Sequence, residues 1–328
     1  MHDNHADLQQ HNLQELIVSQ SCDSFGIADF QPPEAVLNLL SHSLSENTKR
    51  SYRADLAHFE DTGRTLPASP SDMASYIAEM AGHFAVATIE RRLASLAKAH
   101  RTRGYDDPCK SELVKSTLRG IRRSLGTKQR QAAAILRDDL FAMLDRLSDQ
   151  RPKGIRDRAL LLVGFATAMR RSELAALNVE DIEFIPRGMM VNLCRSKTDQ
   201  EGHGRKIAVP LGRTRHCPVT AVKAWLDVLG WSAGPIFVCI NKHGHLLDRR
   251  ISGEAVSLVV KMRMADAGYD PKPFSGHSLR AGFATSAAQA GASTYKIRQT
   301  TGHRTESSLS RYIRDTDLFT DAAISRLL

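Results

Sequence analysis

The chain has 328 residues, 42% hydrophobic and 25% charged, which is the composition of a soluble globular protein with room for two domains that each bury a core. No apolar run approaches the roughly 20 residues of a membrane helix, and the opening MHDNHADLQQ lacks the basic and apolar regions of a secretory signal, so a cytoplasmic protein is expected. The net charge of +9 understates the basic character: residues 1–40 hold six acids (Asp3, Asp7, Glu15, Asp23, Asp29, Glu34) and no Lys or Arg, so the remainder sets 45 basic against 30 acidic residues, a net +15 that favours a polyanionic partner.

Beyond that acidic segment, which is open to disorder, four amphipathic helices follow. SENTKRSYRADLAHFEDTG offers Ser45 as a cap, Tyr52, Leu56 and Phe59 as an apolar face and Gly63 as a stop. SPSDMASYIAEMAGH starts at its Ser-Pro-Ser-Asp cap and turns Met73, Ile77 and either Met80 or Ala81 to one side. AVATIERRLASLAKAHRTRGY places Ile89, Leu93 and Leu96 inward and Arg91, Arg92, Lys98, Arg101 and Arg103 elsewhere. SELVKSTLRGIRRSLG adds Leu113, Leu118 and Ile121. Residues 86–137 contain 13 Lys or Arg and four acids, a density that suits a polyanion-facing surface better than a merely solvated one. TKQRQAAAI is polar, small and without apolar period, which marks an interdomain linker at 127–136 before a fresh helix at 137–147.

The second half is mainly α with a small β-sheet. GIRDRALLLVGFATAMRRSELAALNVEDI reads as a buried helix, a break near Thr167 and a new helix opening at Arg171. Met189–Cys194 and Lys206–Pro210 read as two strands of a hairpin, and helices resume at 220–229, 252–267, 278–290, 294–301 and 306–313. The five cysteines (Cys22, Cys109, Cys194, Cys217, Cys239) are scattered and form no metal-binding pair, so they read as reduced thiols. His243 and His245 in NKHGHLL suit a polar turn, and no metal is assigned.

Single candidate groups have ordinary explanations. Arg170 or Arg171 could pair with Glu173 at a helix end, and Lys197 in CRSKTDQEG could be one more loop lysine. His277 and Arg280, three apart in SGHSLRAGFAT, share one helix face, and His303 precedes Tyr312 by nine residues in TGHRTESSLSRYIR. Taken together, the order Arg170, Lys197, His277, Arg280, His303, Tyr312 resembles the tyrosine site-specific recombinases, or phage integrases. MRRSEL resembles their first arginine box, HSLRAGFAT their His-x-x-Arg box, and TGHRTESSLSRYI the box ending in the nucleophile; the likeness spans roughly residues 40–328.

The resemblance implies a two-domain DNA clamp, with a helical core-binding (SAM-like) domain at 41–126 and a catalytic domain at 137–328. It implies cleavage and rejoining of DNA through a 3′-phosphotyrosine at Tyr312, in a homo-tetramer on inverted-repeat sites, via a Holliday junction and without metal or cofactor. Attack on a phosphodiester gathers negative charge on two non-bridging oxygens, which two arginines neutralise as planar forks that never lose their charge. Arg170 and Arg280 take that part in the family pattern, Lys197 that of general acid, His277 of base and His303 of hydrogen bond to the phosphate; the pattern selects Arg170 over Arg171. Lys206 and Arg205 are the hairpin's alternatives to Lys197, and Glu173 is expected to buttress Arg170. Candidate DNA contacts are Lys49, Arg50, Arg91, Arg92, Lys98, Arg101, Arg119, Arg122, Arg123 and Arg171. The final apolar face of Phe319, Ala323, Ile324 and Leu327 would dock on a neighbouring protomer. A nucleoid-associated recombinase of the simple Cre-like or Xer-like kind is the expectation, with or without an accessory protein. Two rival readings use the same residues: a catalytically silent DNA-binding protein of recombinase descent, and a type IB topoisomerase or telomere resolvase.

Overall fold

The computed structural model describes residues 46–128, 131–148, 150–193 and 204–303, with Thr305 and Leu309 beyond them. The acidic segment, Ser45, Lys197, the helix expected at 306–313 with Tyr312, and the final apolar face lie outside the described residues. The chain divides into two compact units, residues 1–130 and 131–328. No helix among the described residues is long and apolar enough to cross a membrane.

The first unit has α1 (Glu46–Glu60), α2 (Pro70–Met80), α3 (Val86–Thr102) and α4 (Glu112–Leu125). Their ends are set by local chemistry. Ser69 accepts from the Asp72 amide while the Asp72 carboxylate takes the Ser69 amide, a reciprocal cap with Pro70 in the first turn. Ser111 caps α4 through the Val114 amide, and Gly126 at φ +73° ends it. Phe59, Met73, Tyr76, Ile77, Ile89, Leu93, Leu96, Val114 and Ile121 form the core. Leu113, expected to point inward, is 52% exposed, and Val114 is buried instead. The stripe that meets the core is Val114, Leu118, Ile121, which keeps the expected Leu118 and Ile121 and replaces Leu113 by the residue at helical spacing from them.

The second unit is built on α5 (Arg137–Asp145), α6 (Pro152–Thr167) and α7 (Arg171–Ala176). From Ala159 onward α6 is apolar nearly all round because it is buried on nearly all sides; Leu160, Leu161 and Val163 are fully enclosed. β1 (Ile182–Ile185), β2 (Gly188–Leu193) and β3 (Arg205–Pro210) make an antiparallel sheet in that order. Met189, Val191 and Leu193 of β2 and Ile207 and Val209 of β3 alternate inward with period two. The expected hairpin is thus β2 and β3, and β1 adds a further strand along β2.

α8 (Pro218–Leu229) packs on α6, and its Trp225 donates an indole hydrogen bond of 2.6 Å to Ile236 O. A second hairpin, β4 (Val238–Ile240) and β5 (Leu246–Arg250), turns at Asn241, whose carboxamide oxygen accepts from the amides of His243 and His245. Arg250 donates to Ala175 O, Leu177 O and Asn178 Oδ1, which ties β5 to the end of α7. α9 (Gly253–Asp266), α10 (His277–Gln289) and α11 (Thr294–Thr301) complete the described unit.

The stretch expected as a linker is in part core. Ala133 N donates to Pro273 O and Ile135 N to Ser278 O, and the Ile135 side chain is fully buried. Gly282 on α10 meets that segment so closely that a Cβ there would stand 1.7 Å from Ile135 O. Residues 131–136 therefore belong to the second unit; they show no helical period because their backbone is bonded to α10 and the turn before it rather than to itself.

Candidate active site

The break after α6 is what presents the first arginine. Ala168 takes a left-handed conformation at φ +50°, unusual for a residue with a Cβ, and is itself fully buried. The chain then turns through buried Met169 and enters α7 with Arg170 at the N-cap. Arg170 is held by Glu173 twice: its amide donates to Oε2 at 3.0 Å and its Nη1 to Oε1 at 2.6 Å. Glu173 is 5% exposed, so this carboxylate acts in a poorly hydrated setting. Glu173 thereby holds both the backbone and the guanidinium of Arg170.

α10 supplies two further groups. Arg280 is 1% exposed, and its Nη1 donates to Ala168 O at 2.8 Å and Thr301 O at 2.5 Å. Those two carbonyls lie at the ends of α6 and α11, where helix carbonyls lack intrahelical partners, so the guanidinium satisfies both and is fixed by both. His277 opens the same helix and keeps one edge in solvent. α11 ends in Gly302, at φ +68°, and His303 follows with Nδ1 2.9 Å from Thr301 Oγ1.

A third guanidinium stands among these groups. Arg205, at the start of β3, donates from Nη1 to Thr300 O at 3.0 Å, and its Nη2 lies 3.5 Å from Glu173 Oε2. The sequence reading mentioned Arg205 only as an alternative to Lys197, yet strand alternation puts it on the inward face with Ile207 and Val209.

Lost hydration first, then Arg280 and Arg170, push the His277 imidazole below its usual pKa. His303 falls further, to about 4, through lost hydration and then Arg280, Arg170, His277 and Arg205. Arg170 and Arg280 thus act on both imidazoles and Arg205 on His303, and both imidazoles stay neutral at pH 7, an arrangement suited to an anion with oxygens for several donors.

A stability consequence follows. The unfolded chain takes up the His303 proton near 6.5 and the folded one near 4, so this contribution is complete above about pH 6.5 and is lost as pH falls to about 4, by up to about 3 kcal/mol. His277 acts with the same sign. The expected result is a melting temperature that drops between pH 6.5 and 4 in the wild type and less steeply in His303→Gln; equal slopes would overturn the assignment.

The candidate polyanion contacts divide. Arg50, Arg91, Arg101, Arg119, Arg122 and Arg123 are exposed, and Lys49 and Lys98 partly so. Arg101 pairs with the nearly buried side chain of Asp107, while Arg119 and Arg122 pair with exposed Glu112 and Glu90, and such surface pairs are weak enough to exchange for phosphate. Arg171 is half exposed, 3.6 Å from Glu254 and 3.4 Å from Ser257 Oγ. Arg92 requires correction. It is 8% exposed, with its guanidinium 4.2 Å from the Phe84 ring, hydrogen-bonded to His58 Nε2 at 3.0 Å and 3.8 Å from buried Asp55. It belongs to the interior of the helical unit, whereas Arg91 beside it pairs with Asp55 from the surface.

Residues 134–318 match the phage integrase family. An integrase/recombinase xerD homolog of Selenomonas ruminantium is 38% identical over 297 residues, covering 88% of this chain and 87% of that protein. The recombinase cre of Escherichia phage P1 is 31% identical over 282 residues, covering 80% of each. Among solved structures, the XerH site-specific recombinase bound to a palindromic difH substrate superposes with a TM-score of 0.61 at 16% identity, covering 96% of this chain and 95% of that one, which is a likeness of fold.

Proposed function

Because the chain belongs to the phage integrase family, we propose that its cluster of arginines and neutral imidazoles grips the scissile phosphate of a DNA strand while Tyr312 attacks it. The protein is a site-specific tyrosine recombinase, an enzyme that cleaves and rejoins DNA strands. The observation that carries the detailed reading is the convergence of Arg170 from α7, His277 and Arg280 from α10 and His303 from the end of α11 on one cationic pocket.

In this reading the phenolic oxygen of Tyr312 bonds to phosphorus, the bond from phosphorus to the 5′-oxygen breaks, and a 3′-phosphotyrosine and a 5′-hydroxyl result. Arg170 and Arg280 neutralise the non-bridging oxygens as charge builds in the transition state. The phenol, with an ordinary pKa of about 10, needs a proton acceptor, and His277 is suited to it because its lowered pKa keeps it neutral. Lys197 gives a proton to the leaving oxygen, and His303 donates a hydrogen bond to the phosphate. Attack by a 5′-hydroxyl from the partner duplex reverses the step and rejoins the strands.

The proposal extends to assembly. The helical unit and the catalytic unit both contact the duplex, the exposed arginines set position on phosphates, and base edges in the major groove give the sequence preference. Four protomers act on two inverted-repeat sites through a Holliday junction, with the C-terminal segment docked on a neighbour. The setting is the cytoplasm, on the nucleoid.

The test is covalent trapping. A DNA site is first selected by the protein from a random-sequence pool, then a duplex nicked beside the cleavage position is incubated with wild-type and Tyr312→Phe protein in EDTA and denatured. A protein–DNA adduct formed by the wild type and absent from Tyr312→Phe is expected. Specific binding by both without an adduct from either would overturn the enzymatic reading in favour of a DNA-binding accessory role.

A further inference from the structure

Arg205 makes contacts that a strand residue kept for packing would not need. Its Nη1 satisfies the Thr300 carbonyl in the last turn of α11, two residues before the glycine that precedes His303. Its Nη2 faces Glu173 Oε2, while the other oxygen of the same carboxylate holds Arg170. Its Nε–H is buried and has no hydrogen-bond partner among the described residues, an unfavourable condition that a structure tolerates where the group is fixed for another reason.

The fit around it is equally specific. A Cβ at position 302 would stand 2.2 Å from Arg205 Nη1, so the absence of a side chain at Gly302 is what lets the guanidinium reach α11. In sequence, Arg205 follows Lys197 by eight residues. In the sheet it pairs with Leu193, so it closes the frame from which the segment bearing Lys197 departs.

We propose that Arg205 is a positioning residue for phosphoryl transfer: its planar fork joins Glu173 to the end of α11 and so sets the spacing between Arg170 and His303. This rests on the reading of the pocket given above. A lysine keeps the charge but, as a single-ended ammonium, cannot reproduce a fork that spans Thr300 O and the Glu173 carboxylate. Both Arg205→Lys and Arg205→Met should therefore misplace Arg170 relative to His303, and a displacement of about 1 Å at reacting groups lowers rate by about 100-fold.

The experiment compares wild type, Arg205→Lys, Arg205→Met and Tyr312→Phe as full chains on the nicked duplex of the selected site. DNA affinity, single-turnover cleavage at saturating DNA and melting temperature are measured for each. The expected result is DNA affinity close to wild type and a cleavage rate lower by about 30- to 100-fold in both Arg205 variants. The His303 imidazole, followed by NMR, should titrate at higher pH in Arg205→Met than in Arg205→Lys, since only the former loses a positive neighbour. Cleavage by Arg205→Lys at the wild-type rate would overturn the proposal, as would losses of cleavage, affinity and melting temperature in equal measure. If Arg205→Met does not fold, Arg205→Lys decides on the same criteria. Adduct formation by Tyr312→Phe would overturn the nucleophile assignment and leave the Arg205 comparison standing; no adduct from the wild type would overturn the pocket reading and this proposal with it.

Discussion

Arg280→Lys is expected to bind its DNA site and to cleave it slower by about 10³-fold or more, the scale on which a single transition-state arginine acts in phosphoryl transfer. The size of the effect comes from burial as much as from charge. Arg280 is 1% exposed, and one of its terminal nitrogens is held by Ala168 O and Thr301 O, so the orientation of the fork is decided before substrate arrives. A lysine can satisfy those carbonyls or reach toward a phosphate, and a single ammonium cannot do both at the same place. The same change leaves a carbonyl at the end of α6 or α11 without its donor, so a lower melting temperature should accompany the loss of rate. Single-turnover cleavage on a nicked duplex, with binding measured in parallel, separates the effects. Cleavage within tenfold of wild type would remove Arg280 from the reaction.

The positions that the sequence made legible are those where chain neighbours define the environment. A break between two helices, a His and an Arg three apart at a helix start, and a Gly-His after a short helix are local patterns, and Arg170, His277, Arg280 and His303 stand where those patterns put them. Arg92 was misread because charge was weighed above period: it lies three residues from Ile89 and four from Leu96, on the inward face, and a cation there is tolerated only because Asp55, His58 and Phe84 meet it. The central place of Arg205 was open to the opposite argument, since alternation with Ile207 and Val209 turns it inward and Lys206 outward. Its partners, Glu173 and Thr300, lie 32 and 95 residues away, and no local pattern names them. The burial of Ile135 was hidden for the same reason, because its backbone partner, Ser278, lies on a distant segment.

Asp157→Ala should lower the stability of the catalytic unit by about 3–5 kcal/mol, the usual result of removing one partner from a buried ion pair. Asp157 is fully buried on α6 and uses both oxygens: Oδ1 accepts from Arg156 Nε at 2.9 Å and Nη2 at 2.6 Å, and Oδ2 from Arg263 Nε at 2.8 Å and Nη2 at 2.5 Å. Arg156 also donates to Val238 O, and Arg263 extends from α9. One carboxylate therefore joins α6, β4 and α9, and α6 is the helix whose end leads into Arg170. Its removal strands Arg156, which is 5% exposed and has little water to replace the lost partner. At about 2–4 °C per kcal/mol for a unit of this size, the melting temperature should fall by about 10 °C. The pairing itself is tested by Asp157→Leu combined with Arg263→Met: if the damage comes from stranded charge rather than from lost packing, the double variant should be more stable than Asp157→Leu alone. A melting temperature for Asp157→Ala within 3 °C of wild type would show that the network does not hold α6 in place, and the positioning of Arg170 would then have to rest on the apolar packing of α6 and on Glu173 alone.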